Sequence, residues 1–245
     1  MSNVWGITDV GLVRRENQDA YAVREQTASG HTICVVCDGM GGAAGGKLAS
    51  RIAVETFVED LEKRLRPDMT PDELKEVTAR AVDQANQAIR ETAGQSERYQ
   101  NMGTTLVSAV TCAQGVVVAN VGDSRAYHIT ADRIIRVTRD HSLVERMVEE
   151  GNITPEEARH HPKRNLITRA LGPDVDAQCD CYLCELKAGD FLLLCTDGLV
   201  NTVTDMEMFQ EIRRGEPEDC LKRLLRIALC QGAPDNVTAV LLRKV

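Results

Sequence analysis

The chain has 245 residues, with 37 Asp and Glu against 29 Lys and Arg, a formal charge of −8. A hydrophobic share of 43% and a charged share of 27% are those of a globular protein and exclude disordered and fibrous classes. The acid excess speaks against a nucleic-acid binder, and no apolar run approaches the roughly 18 residues that a membrane span needs.

In chain order, residues 4–8 read as a strand, followed by a polar stretch. Residues 20–24 and 32–37 read as two strands around a Ser29-Gly30 turn. The glycine-rich segment 39–46 leads into an amphipathic helix over 47–65, with apolar Leu48, Ile52, Phe57 and Leu61 set among charges. Thr70-Pro71-Asp72-Glu73 is a capping box with proline at the first helical position, and it starts a second long helix running to about Thr92. Four β-rich runs follow, 104–111, 115–121, 125–129 and 133–138, with hairpin turns expected at 112–114, 122–124 and 130–132. A polar helical stretch covers 142–151, and Thr154-Pro155-Glu156-Glu157 caps a short helix. Residues 181–186 and 190–195 read as strands joined by a turn at 187–189. Helices over 205–213 and 217–230 precede a last strand at 237–242.

Consecutive strands with short turns imply antiparallel pairing rather than alternating βαβ units. The expected fold is α+β, two antiparallel sheets packed together with helices outside. At this length one domain over 1–245 is the simplest organisation. The charged residues of about 143–170 form an expected surface insertion. The opening Met1-Ser-Asn-Val-Trp-Gly has no basic or apolar leader, which gives the expectation of a cytoplasmic protein. Nine cysteines then read as reduced thiols, Cys34, Cys37, Cys112 and Cys195 lying in apolar runs where cysteine behaves as a small hydrophobe. Cys179-Asp-Cys181-Tyr-Leu-Cys184 has the look of a zinc half-site, but lacks a partner half at suitable spacing.

Two phosphate-binding patterns overlap in the glycine-rich segment. Gly41-Gly-Ala-Ala-Gly-Gly46-Lys47 fits the first seven positions of a P-loop, but the eighth is Leu48, which cannot ligate magnesium. Gly39-Met-Gly41-Gly-Ala-Ala44 fits the looser dinucleotide fingerprint, yet the region that should hold the second parallel strand is helical. A second pattern is the placement of aspartates at strand ends. Asp38 follows 32–37, Asp123 follows 116–121, Asp197 follows 191–196, Asp235 precedes the last strand and Asp19 precedes the second. One such residue is an ordinary turn former. Five that converge make a carboxylate cage, which repels itself unless protonated or metal-bound. An all-oxygen donor set suits Mg²⁺ or Mn²⁺, and two such ions about 4 Å apart can activate water for attack on phosphorus.

Six segments in order carry a family resemblance. They are Thr8-Asp-Val-Gly11-Leu-Val-Arg14-Arg-Glu-Asn17-Gln18-Asp19, Val36-Cys-Asp38-Gly39-Met-Gly41-Gly42, Asn101-Met-Gly103-Thr104-Thr105, Val121-Gly122-Asp123-Ser124-Arg125, Cys195-Thr-Asp197-Gly198-Leu199 and Ala233-Pro-Asp235-Asn236-Val-Thr238. Together they resemble the bacterial type 2C metal-dependent serine/threonine protein phosphatases, across nearly the whole chain. The resemblance implies an α-β-β-α sandwich and direct attack of a metal-bridging hydroxide on phosphoserine or phosphothreonine in proteins. It implies that Asp38 bridges two Mn²⁺ or Mg²⁺ ions, that the Gly39 carbonyl binds one, and that Asp197 and Asp235 bind the other. Asp19 would hold the centre through water, and Asp123 with Asp197 would form a third, weaker site. Arg14 would bind the substrate phosphate through its guanidinium fork. The insertion corresponds to the family's flap, and a serine/threonine kinase is the expected opposing partner. Met40 stands where eukaryotic relatives carry a histidine proposed as general acid, which leaves His141, His160 and His161 as candidates by position alone. A P-loop nucleotide hydrolase using Lys47 and Asp197, and a non-catalytic module on the phosphatase fold, remain the alternatives.

Overall fold

A computed structural model describes residues 2–42 and 45–245. Ala43 and Ala44, inside the glycine-rich segment, lie outside the described residues. The strands are β1 (Ser2–Asp9), β2 (Asp19–Arg24), β3 (Ile33–Met40), β4 (Gly103–Thr104), β5 (Leu106–Cys112), β6 (Gly115–Val121), β7 (Arg125–Ile129), β8 (Ile134–Arg136), β9 (Asp180–Cys184), β10 (Phe191–Cys195) and β11 (Val237–Lys244). The helices are α1 (Gly45–Arg64), α2 (Pro71–Ala93), α3 (Leu143–Glu149), α4 (Pro155–His160), α5 (Asp197–Val200), α6 (Asp205–Arg213) and α7 (Pro217–Cys230). One sheet runs β1-β11-β10-β7-β8; the other runs β2-β3-β5-β6-β9, with β4 paired to β3. Every pairing is antiparallel.

Alternation along the strands builds three apolar layers. In β3, Ile33, Val35 and Cys37 face α1 and α2, while Cys34 and Val36 face the other sheet. In β10, Phe191, Leu193 and Cys195 face α6 and α7, while Leu192 and Leu194 turn inward. β11 repeats the pattern with Leu241 outward and Val240 and Leu242 inward. Each strand is therefore covered on both faces, which explains why these segments read as nearly continuous apolar runs. The result is the α-β-β-α sandwich. No helix among the described residues is long and apolar enough to cross a membrane.

One expected hairpin turn, 122–124, and one strand-joining turn, 187–189, change sheets instead of pairing neighbours. The turns after β5 and β7 do join paired neighbours. The 122–124 turn instead carries the chain from β6 in one sheet to β7 in the other, and 187–189 carries it from β9 to β10 in the same way. The reason is edge occupancy: β6 is already flanked by β5 and β9, so β7 has no free edge beside it. These crossovers set the site, because the 122–124 turn brings Asp123 to the mouth between the sheets.

Candidate active site

The register dictates where the aspartates meet. Cys195 of β10 is paired with Arg125 of β7 on one side and with Ala239 of β11 on the other. Asp197 opens α5 two residues past Cys195, Asp123 lies two residues before Arg125, and Asp235 lies two residues before Val237, where β11 begins. On the second sheet, Asp19 and Asp38 are direct cross-strand partners, an arrangement that costs stability between like charges. Asp38, Asp123, Asp197 and Asp235 line one cleft of about 630 Å³ together with Gly39 and Arg14. Asp19 lies behind it, accepting a hydrogen bond from Thr196 Oγ1 at 2.9 Å.

Close backbone approaches fix this geometry. A Cβ on Gly39 would lie 2.1 Å from the Gly46 carbonyl and 2.6 Å from that of Gln18. Glycine there lets the start of α1 pack against the Asp38 loop. A Cβ on Gly198 would meet the Asn236 carbonyl at 2.0 Å, so glycine there lets the Asp197 and Asp235 segments touch.

Several positioning residues carried no role in the sequence reading. Asn236 donates from Nδ2 to the Val10 and Glu16 carbonyls and accepts at Oδ1 from the Gln18 amide. It thereby pins both ends of the loop that presents Arg14. Thr105 Oγ1 accepts from the Asp38 amide at 3.0 Å, and Thr104 Oγ1 donates to the Asp38 carbonyl at 2.8 Å. Arg125 is clamped on both oxygens of buried Asp140. The available signal was a polar residue at the end of an apolar strand, as in Thr104-Thr105 and Asn236.

Desolvation and like charge set the cleft carboxylates apart. Surrounding protein, then the charges of Asp19, Asp197 and Asp123, push Asp38 well above the usual carboxylate range. Burial pushes Asp19 up to about 7 against the opposing hydrogen bonds of Thr238 and Thr196. Burial and Asp197 raise Asp123, and burial and Asp235 raise Asp197. Asp19 Oδ1 and Asp197 Oδ1 are buried without a hydrogen-bond donor among the described residues. Such crowding of desolvated carboxylates is relieved by protonation or by bound cations.

A divalent metal therefore fits the residues present. The donors are all oxygen, which favours Mn²⁺ or Mg²⁺ over zinc. The side chains do not form a finished cage: among the described residues no three His, Cys, Asp or Glu side chains close on one point. Asp235 is instead turned onto Arg14, Oδ2 accepting from Nη2 at 2.7 Å. That bond, opposed by partial burial, raises the arginine's pKa and keeps it charged.

The other expectations sort clearly. His141 is buried, its Nδ1 accepting from the Gly122 amide at 3.1 Å and its Nε2 donating to Asp180 at 3.2 Å. Burial lowers its pKa, and the neutral ring is committed to these bonds. His161 Nδ1 accepts from the Lys163 amide. His160 lines a second cavity of about 620 Å³, between the 143–170 segment and α5, which shares Asp123 and Asp197 with the first. Lys47 is exposed and absent from the cleft lining. The P-loop alternative fails on topology, since that motif links parallel strands and every pairing here is antiparallel. The zinc half-site also dissolves: Cys179 packs toward α2's layer, whereas Cys184 points between the sheets.

Comparison with known proteins agrees with this geometry. A family model described as protein phosphatase 2C matches residues 14–224. The chain is 36% identical over 239 residues to serine/threonine phosphatase stp of Listeria innocua, covering 97% of this chain and 94% of that protein. The crystal structure of Stp1 from Staphylococcus aureus superposes with a TM-score of 0.91 at 35% identity, covering all of this chain and 96% of that one. The catalytic domain of PstP, solved in complex with 2 manganese ions, superposes with a TM-score of 0.83 at 32% identity, covering 99% of this chain and 97% of that one. By sequence, fold and the order of its site residues, the chain belongs to the protein phosphatase 2C family.

Proposed function

We propose that this chain removes phosphate from phosphoserine and phosphothreonine in proteins, using two Mn²⁺ or Mg²⁺ ions held at the carboxylate cleft. The chain is a protein serine/threonine phosphatase. The observation that carries it is the convergence of Asp38, Asp123, Asp197 and Asp235 on one cleft beside Arg14, with Asp19 behind.

Asp38 and the Gly39 carbonyl, with Asp197 and Asp235, would hold the two ions. Asp19 would orient the centre, and Asp123 with Asp197 would take a third, weaker ion. The chemistry such ions supply is activation of a water for direct in-line attack on phosphorus. Arg14 stands at the cleft lip, more than half exposed and aimed inward by Asp235, so its fork can pair with two phosphate oxygens. Asn236 fixes the loop that sets this aim. His141 supplies no proton, because both ring nitrogens are engaged. The 143–170 segment contributes Asn165 and Ile167 to the cleft wall, which supports its reading as a flap beside the protein part of a substrate. A serine/threonine kinase supplies such substrates and is the opposing partner.

Hydrolysis of a phosphothreonine peptide and of p-nitrophenyl phosphate, measured with Mn²⁺, with Mg²⁺ and with EDTA, tests the reading. Turnover that needs either ion and stops in EDTA is expected. Undiminished turnover in EDTA would overturn the metal assignment.

A further inference from the structure

The cysteine content finds one organised use outside the cleft. Cys179 and Cys181 flank Asp180 at the start of β9, the edge strand of its sheet. Their sulfurs lie 3.9 Å apart on the same face, and Cys181 Sγ also reaches the Lys75 carbonyl of α2 at 3.9 Å. Both residues are only partly buried, unlike Cys34, Cys37, Cys195 and Cys220. The hydrogen bond from Cys179, helped by the Lys75 charge against burial and Asp180, lowers the Cys181 thiol below its ordinary value. The same bond raises Cys179. Cys181 is thus the more nucleophilic sulfur and Cys179 the nearby partner that can resolve it.

The residue between them has a long reach. Asp180 accepts from His141 Nε2 at 3.2 Å and from Arg169 Nη1 at 2.9 Å. Burial alone would raise Asp180, but these two partners hold it below the ordinary aspartate value. His141 in turn holds the Gly122 amide and donates its own amide to the Gly122 carbonyl at 2.9 Å, next to Asp123. The His141 carbonyl accepts from Thr168 at 2.7 Å, at the root of the 143–170 segment.

We propose that Cys179 and Cys181 are a dithiol that peroxide closes to a reversible disulfide, and that closure loosens the Asp180–His141 clamp and lowers turnover. The Cys181 thiol loses its proton to solvent, the thiolate attacks one peroxide oxygen as the O–O bond breaks, and a sulfenic acid forms while the departing hydroxide takes up that proton as the first water. Cys179 sulfur then attacks the Cys181 sulfur, the S–S bond forms as the S–O bond breaks, and the Cys179 proton leaves with the hydroxide as a second water. Two thiols lose two electrons and one hydrogen peroxide gains them. Alternate residues of a strand stand roughly 6.4–6.8 Å apart, at the upper limit of the Cα spacing that a disulfide bridges. Closure must therefore draw the strand in around Asp180, and a bond under such tension is readily reduced.

The test is to treat the protein with hydrogen peroxide in EDTA, remove the peroxide, and follow both mass and Mn²⁺-dependent phosphopeptide turnover. The peptide between Arg169 and Lys187 is expected to lose two hydrogens, with fragmentation placing the bridge between Cys179 and Cys181. Turnover is expected to fall roughly threefold or more and to return with dithiothreitol. Cys179→Ser and Cys181→Ser should keep their turnover through the treatment, while Cys230→Ser, which removes an exposed thiol, should remain sensitive. Asp180→Asn, kept reduced, should show the lowered turnover without oxidant. Absence of the bridge under conditions that oxidise Cys230, equal inactivation of Cys181→Ser, or full turnover in Asp180→Asn would overturn the proposal. The mass shift does not depend on the phosphatase reading, so failure of the dithiol and failure of that reading are separable.

Discussion

In the proposed reaction Arg14 meets the phosphate, and Asn236 holds the loop that carries Arg14. Arg14 is exposed and paired with Asp235 across an open cleft lip, and such a pair adds little to stability. Its loss should therefore appear in kinetics. Arg14→Ala is expected to lower kcat/KM by roughly 10- to 100-fold, mainly through KM, with an unchanged melting temperature; the magnitude is that of a charge-assisted hydrogen bond of about 1.5–3 kcal/mol. Asn236 is buried and answers three backbone groups. Asn236→Ala leaves those groups unpaired, so thermal unfolding should show a loss of about 1–3 kcal/mol, and steady-state kinetics should show a raised KM because the Arg14 loop is no longer pinned. The sequence made Arg14 legible through its motif. The role of Asn236 was hidden, because its partners at Val10, Glu16 and Gln18 are distant in the chain and only the closed fold brings them together.

At the scale of elements, local chemistry wrote some boundaries in full. α6 and α7 match the expected ranges, and α2 ends one residue past the expected end. In α2 and α6 the reason is the capping box, which fixes the first turn by reciprocal hydrogen bonds within four residues. α5 escaped notice because a helix of one turn has no periodicity to read. The crossovers at 122–124 and 187–189 cannot be told from hairpin turns in sequence, because turn chemistry is the same whether the next strand pairs beside the last or joins the opposite sheet. The caps also set an acid-side pH dependence. Backbone and side-chain bonds from Thr70, Thr154 and Thr204 hold Glu73, Glu157 and Glu207 below the ordinary glutamate value. A lowered folded pKa means that the contribution is present above the unfolded value of 4.5 and is lost as pH falls through the folded one. Thr204→Ala is expected to cost about 1 kcal/mol at neutral pH, and in pH-dependent thermal melts its deficit should shrink as pH drops below about 4.5.

For the whole molecule, the carboxylates explain why a chain of this composition tolerates such crowding. Sheet-to-sheet crossovers gather strand ends at one mouth of the sandwich, and the sheets between their helix layers hold those ends rigidly. The fold accepts mutual repulsion among Asp19, Asp38, Asp123 and Asp197, a local conflict of the kind found where function requires it. In the proposed function, divalent cations resolve this conflict. Calorimetric titration of Mn²⁺ into the wild-type chain and into Asp38→Asn decides whether they do. Tight uptake of two ions by the wild type is expected, with most of that uptake lost in Asp38→Asn and the fold retained by circular dichroism. Wild-type uptake of Mn²⁺ by Asp38→Asn, or no uptake by the wild type, would contradict the metal assignment.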